Sequence, residues 1–498
     1  MKVAHDNNIP APDDVFQPEK QDGESERSER RLTERKMREV WHEAKPLVMD
    51  TFHLDRGQNA QIPEGSFWEV QALAGTQQDT FTEGGVEAFR TATTRPEDQK
   101  HTGRTHRHHL QKHSVEEVRR MLRDTTTRLV QRARHNGELQ GKVWAAIDVT
   151  KGNPWAGEIE WTDDNHPEDP YILGYKDDED RSADYYFQWA TIQVVGLDVP
   201  LVLDAFPLSR GTSKAEIVDE LLSGGLDILP DIELVMMDRE FDSEGVKNVC
   251  DDHGVYYLNP ARKNTHEQVM CTKLRKAGKK VRVVKQSAFE GPSRKRLYLP
   301  ARNTDIFEPS DTDDRDTSDG DSGEKSEEER REGYRQKHAQ AFVETFDVDV
   351  DDEDGHMFSG VVDEVREQEA AEDDRVDDEA VEAYALFETN HPALDPEDSA
   401  TEEQLLGRVR GFVERYSHRW GIENGYKQIK QFRVRTTSKD HRYRYFCFAF
   451  ACVLYNVWRL VDLLVKLAFE DDPDYSPRVS AGVFLTLASQ NLGLDPPD

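Results

Sequence analysis

Apolar residues recur along this chain with two different periods, and the change of period divides it. From residue 32 to about 95 the spacing is helical, with Val40, Trp41, Ala44, Leu47, Val48 and Phe52 on one side and a second apolar group around Phe67 and Trp68. Ser114 followed by Glu117 is a capping-box signature, and Val115, Val118, Leu122 and Leu129 give the helix behind it a buried stripe. From residue 142 onward short apolar runs bounded by turn residues take over. Residues 142–149 (KVWAAIDV), 185–195 and 199–205 read as strands, 212–222 as a helix, 232–237 (IELVMM) as a strand, 243–253 as a helix and 255–258 as a strand. Three strands followed by alternating helices and strands predict an α/β fold, a mixed sheet with helices on its faces.

The pattern breaks between 261 and 382. A basic, β-rich piece (VRVVKQSAFEGPSRKRLYLP) precedes the acidic run SDTDDRDTSDGDSGEKSEEE, which has too little apolar surface to fold and reads as a surface loop. Residues 341–350 alternate as a strand, 383–389 return to the fold as another, and helical spacing resumes at 401. The expected organisation is a disordered tail (1–31), a helical N-terminal region (32–140), a catalytic-type domain in two parts (141–260 and 383–470) around an insertion (261–382), and a C-terminal tail (471–498). The uncharged run at 445–458 is too short to span a bilayer comfortably and reads as a buried helix.

Composition narrows the function. Lys and Arg total 65 against 99 Asp and Glu, a formal net charge of −34, whereas a protein that coats nucleic acid indiscriminately is normally basic. Such an acid-rich surface suits a very salty cytoplasm, as in a halophilic archaeon, where a Debye length of about 3 Å at molar salt screens repulsion from DNA. Four cysteines without a C-x-x-C pair, and an N-terminus without a signal-peptide core, point to a soluble protein of a reduced cytoplasm. Residues 100–134 stand apart as basic, with His101, His106, His108, His109 and His113 crowding the approach to the capped helix. No cysteine or carboxylate lies at ligand spacing within that run, so a metal site ranks behind a DNA-backbone-contacting arm and helix carrying Arg119, Arg120 and Arg123, with a plain surface linker as the other reading.

Residues 412–435 read as an amphipathic helix. At about 100° per residue Tyr416, Arg419, Glu423 and Lys430 share one narrow face, opposite Ile422, Ile429, Phe432, Gly421 and Gly425. A carboxylate between two cations suits a metal ion held beside a phosphate backbone, although a solvated face with i,i+4 ion pairs has the same pattern. The two glycines should weaken the helix by about 1 kcal/mol each, so their side is expected to press closely against the sheet. Asp148 and Asp238 each stand at or near the end of an apolar strand, where a carboxylate loses hydration unless it is paired or holds a cation. Together with Glu423 they would make an oxygen-rich site suited to Mg²⁺ or Mn²⁺.

The spacing Tyr416-x2-Arg419-x3-Glu423-x6-Lys430 resembles the YREK signature of the DDE transposases of insertion-sequence family four. The resemblance runs from about residue 143 to 467 and takes in AIDVTKG with Asp148 and MDREFDSEGV with Asp238. It implies a ribonuclease-H-like catalytic domain with a β-rich insertion between the second aspartate and the glutamate. It also implies a triad of Asp148, Asp238 and Glu423 holding two Mg²⁺ or Mn²⁺ ions, and phosphate contacts from Tyr416, Arg419 and Lys430. The implied ligands are the element's terminal inverted repeats and target double-stranded DNA, bound by a homodimer that cleaves and transfers DNA strands. Glu240, where relatives often have glycine, and the acidic loop depart from the family pattern. The alternatives are a metal-dependent nuclease of the same fold without strand transfer, and a non-catalytic, domesticated DNA-binding descendant.

Overall fold

The computed structural model describes residues 24–51, 54, 56–57, 59–77, 80–150, 153–154, 160–162, 167–174, 186–197, 199–286, 293–301, 376–394, 401–469 and 476–491. The acidic run and the strand expected at 341–350 lie outside them. Five helices come first: α1 (Glu24–Thr51), α2 (Gly65–Gly75), α3 (Thr82–Ala92), α4 (Gly103–Leu110) and α5 (Val115–His135). Strands β1 (Val143–Val149), β2 (Asn153–Pro154), β3 (Tyr186–Phe187), β4 (Trp189–Val195) and β5 (Val202–Pro207) lead to α6 (Lys214–Ile228) and β6 (Ile232–Met236). Then come α7 (Glu244–Asp252), β7 (Tyr256–Pro260), α8 (Thr265–Lys276), β8 (Arg282–Gln286) and β9 (Arg294–Pro300). The last described elements are α9 (Asp378–Ala383), β10 (Tyr384–Thr389), α10 (Glu402–Val413), α11 (Trp420–Phe432), α12 (His441–Phe469) and α13 (Ala481–Asn491). They fall into two compact units, Met1–Val235 with His418–Asp498, and Met236–Ser417.

In the first unit the strand order is β5-β4-β1-β6. β4 runs antiparallel to both β1 and β5, in a register that sets Asp148 opposite Thr191. Three antiparallel strands and a helical crossover through α6 are the arrangement expected of the ribonuclease-H-like α/β class. Helix α12 is buried from Tyr443 to Lys466, as its unbroken apolar run requires. It is long and apolar enough to cross a membrane, but its apolar stretch is buried inside the fold. Its Asn456 clamps β5: Oδ1 accepts the Val202 N–H at 2.9 Å, and Nδ2 donates to the Val202 carbonyl at 2.8 Å and to Thr126 on α5 at 3.0 Å.

Two terminal expectations are corrected. Helix α1 starts at Glu24, inside the segment read as a disordered tail, because Met37, Val40, Trp41 and Ala44 give its far end a buried face that carries the polar first turns along. The C-terminal tail likewise contains α13, which buries Phe484, Leu485, Leu487 and Ala488. Residues 24–31 have no apolar residue of their own and the C-terminal helix is short, so tertiary packing supplies what local pattern does not.

The basic run also folds inward. His101 stacks on Phe67 with ring centroids 4.1 Å apart. His101 Nε2 meets His106 Nδ1 at 3.0 Å, and His106 Nε2 lies 3.0 Å from Gln71 Oε1. Burial pushes the His101 imidazole down to about 4 and that of His106 well below its ordinary value. The capping box at the start of α5 forms as expected, with Ser114 Oγ accepting from the Glu117 N–H at 3.2 Å and Glu117 Oε2 from the Ser114 N–H at 2.7 Å. Arg119 is not a surface phosphate contact. It is buried, and its guanidinium donates to Asp204 Oδ2 on β5 at 2.7 Å and to the Glu220 carbonyl at 2.7 Å. A Cβ at Gly224 on α6 would overlap Asp204 Oδ2, so only glycine fits beside this carboxylate. Arg123 pairs with Asp227, while Arg120 is exposed.

The second unit carries an antiparallel sheet in the order β7-β10-β9-β8. Helices α8 and α9 contribute Cys271, Leu274 and Ala383 to a cluster with Tyr298, Tyr384 and Leu386 on the strands. Helix α8, capped by Asn264, precedes the basic piece read as β-rich, within which β8 and β9 form. Buried Glu388 on β10 accepts from Lys247 at 3.0 Å, Tyr257 at 3.2 Å and Arg296 at 3.2 Å.

Two outcomes follow from the first unit. Arg119→Met strands the Asp204 carboxylate and is expected to destabilise by about 3–5 kcal/mol in chemical denaturation, whereas adding Asp204→Leu recovers most of that loss. The depressed histidines contribute stability that is complete above about pH 6.5, their unfolded value, and is lost as pH falls toward 4, because the unfolded chain binds more protons in that window. The denaturant midpoint of the wild type should fall between pH 6.5 and 4.5, and His101→Phe, which keeps the stack, should flatten that slope.

Candidate active site

Asp148 lies near the end of β1, where the strand's burial gives way to partial exposure. Its carboxylate is held on both oxygens: Oδ1 accepts the N–H of Val149 at 2.8 Å, and Oδ2 faces Arg419 NH1 at 3.4 Å. Arg419 NH2 reaches Glu423 Oε1 at 3.0 Å, so one guanidinium bridges Asp148 and Glu423. Only 4% of Arg419 is exposed. A charge that far from water needs partners, and two carboxylates supply them.

The helix read from the sequence is interrupted. α10 ends at Val413, residues Glu414–Arg419 wind as a 3-10 helix, and α11 begins at Trp420. A 3-10 turn advances about 120° per residue, so the single continuous α-helical face placed through Tyr416 does not carry over. Arg419 and Glu423 still meet, one turn apart at the start of α11. Lys430 is exposed in its last turn. The glycine face behaves as expected at Gly425, where a Cβ would come within 2.5 Å of Gln193 Oε1 on β4.

Sequence reasoning missed Tyr426. It is buried, its phenol donates to the Asp148 carbonyl at 2.8 Å, and its oxygen lies 2.7 Å from Thr191 Oγ1. Since the phenol proton goes to the carbonyl, Thr191 donates to Tyr426. Burial, reinforced by the Asp148 carboxylate, pushes this phenol well above its ordinary value and keeps it a donor. The available signal was its place on the helical wheel beside Arg419, three residues after Glu423.

In the second unit Asp238 heads the 3-10 turn Arg239–Phe241, with Oδ1 accepting the Glu240 N–H at 2.8 Å. Asn259 Oδ1 accepts the Met237 N–H at 3.1 Å. Tyr416 is a core tyrosine, contrary to its expected place at a phosphate. Its O–H donates to the Met237 carbonyl at 3.1 Å, and its ring meets Phe387 edge-on at 5.3 Å. Asp242 takes the N–H of Arg262 at 2.8 Å and pairs with Lys247 at 2.7 Å, which anchors the far end of the turn.

The donors are hard carboxylate oxygens, the chemistry that Mg²⁺ and Mn²⁺ prefer. Among the described residues, no group of three or more His, Cys, Asp and Glu side chains is gathered closely enough to hold a metal ion. Asp148 and Glu423 nevertheless converge on one guanidinium, and their oxygens fit such an ion in type.

A mixed α/β architecture with a strand-end aspartate, a helical glutamate and an arginine between them defines a carboxylate-based site. Residues 205–456, just over half of the chain, match the family model of the transposase DDE domain, and the chain belongs to that family. No curated protein matches it. Among solved structures, one that it resembles is described as the cryo-EM structure of piggyBac transposase synaptic complex with hairpin DNA, at 10% identity and a TM-score of 0.42, covering 94% of this chain and 79% of that one.

The packing of Gly425 has a measurable consequence. Gly425→Ala should destabilise by about 1–2 kcal/mol, since overpacking against buried Gln193 outweighs the gain of about 1 kcal/mol in helix propensity. Gly411→Ala, on α10 with open space around it, should stabilise in the same thermal-melt series.

Proposed function

We propose that the protein is a transposase of the insertion-sequence family-four type, which binds the terminal inverted repeats of its element and cleaves and transfers DNA strands. The observation that carries this reading is the bridge from Asp148 through Arg419 to Glu423, in a chain of the transposase DDE domain family. Asp148, Asp238 and Glu423 would hold two Mg²⁺ or Mn²⁺ ions. When bound, such ions polarise the phosphodiester and lower the pKa of the attacking water or 3′-hydroxyl.

The protein's own residues supply the rest. Arg419 keeps the two carboxylates facing one point and neutralises their mutual repulsion, and its guanidinium is a candidate contact for the scissile phosphate. Lys430 and Arg120, both exposed, are candidate contacts to the DNA backbone, whereas Tyr416 and Arg119 are assigned to the core. Acting on two element ends in one complex calls for a homodimer. The acid-rich surface suits a halophilic cytoplasm, so the reaction is best assayed in molar KCl.

The test combines purified protein, Mg²⁺, labelled end DNA and a target plasmid. Joined products are expected; cleavage without joining would favour the nuclease reading, and binding without either would favour a domesticated descendant. Asp148→Asn, Asp238→Asn and Glu423→Gln should each lower joining by about 10³-fold, the loss of several kcal/mol of transition-state stabilisation, with end binding retained. Joining undiminished in all three would sink the proposal.

A further inference from the structure

We propose that Tyr426 is a positioning residue for Asp148, acting through the peptide unit that joins Asp148 to Val149. The inference rests on the reading of Asp148 as a metal ligand. The N–H of that peptide unit donates to Asp148 Oδ1 at 2.8 Å, and its carbonyl oxygen accepts the Tyr426 O–H at 2.8 Å. A peptide unit is planar, with its C=O and N–H pointing to opposite sides. Holding the oxygen therefore sets the direction of the N–H, and the N–H sets the orientation of the carboxylate.

Tyr426 is itself fixed from the sheet. Thr191 Oγ1 lies 2.7 Å from the phenol oxygen, and Gln193 Nε2 donates to Thr191 Oγ1 at 3.2 Å. Thr191 is the cross-strand partner of Asp148, so the phenol is tied to the same rung of the ladder that it steadies. Gly425 lets α11 approach near enough for this, since a side chain there would meet Gln193. Glu423 and Tyr426 stand three residues apart, neighbours on the helix surface. One helix thus supplies one carboxylate and orients another.

The test uses the full-length protein, with Mn²⁺ as the probe, titrated by calorimetry. Tyr426→Phe should weaken Mn²⁺ binding about 10-fold, the lower end for a group that orients a metal ligand, with the Kd for end DNA unchanged. Thr191→Val should shift Mn²⁺ affinity the same way by less, and Thr191→Ser should keep the wild-type value. A tyrosine that only fills the core would lower thermal stability and leave Mn²⁺ affinity alone. Folded Tyr426→Phe binding Mn²⁺ as tightly as the wild type overturns the inference. Where that variant does not fold, unchanged Mn²⁺ affinity in Thr191→Val overturns it equally. Wild-type protein that binds no Mn²⁺ is a separate result, which removes the ligand reading of Asp148 and this inference with it.

Discussion

A carboxylate withdrawn from water must be met by donors, and each unit of this chain is organised around meeting that demand. In the first unit Asp204 is met by Arg119, which fastens α5 to β5. Asp462 is met by Lys466 at 3.3 Å and by the Val479 N–H at 2.7 Å, which fastens α12 to the start of the C-terminal helix. In the second unit Glu388 gathers Lys247, Arg296 and Tyr257. Asp148 and Glu423 belong to the same series but share one arginine, at a point where the strand is becoming exposed. Buried pairs of this kind add little net stability, but losing one partner is costly, so they bind elements into a single arrangement.

That constraint explains why Arg119 of the basic segment turns inward. Charge along the sequence does not say which cations will be needed inside. In a chain of net charge −34, α5 lies among acidic neighbours, and Arg119, Arg123 and Arg134 go to Asp204, Asp227 and Asp231. Of the histidines nearby, His101 and His106 serve as flat, neutral rings packed on Phe67. Burial converts them from charge carriers into core.

The tyrosines show the same division. Tyr416 drew attention through its spacing from Arg419 and Glu423, and Tyr426 drew none. In the structure each donates its phenol O–H to a backbone carbonyl, Tyr416 to that of Met237, just before Asp238, and Tyr426 to that of Asp148 itself. A phenol can both fill an apolar space and donate to a backbone carbonyl at its rim, which suits it to the end of a strand.

Much of the architecture was legible in the sequence, because period and capping are local properties. The run of strands from residue 143, the helix opened by Ser114 and Glu117, the buried α12 and the close approach of Gly425 to the sheet all follow from spacing and residue type. What local pattern could not decide was direction. The 3-10 turn at Glu414–Arg419, the inward course of Arg119 and the role of Tyr426 depend on residues tens to hundreds of positions away. A side chain's partner is set by which distant strand or helix reaches it, and only the folded chain brings Asp148, Thr191, Arg419 and Tyr426 into one another's range.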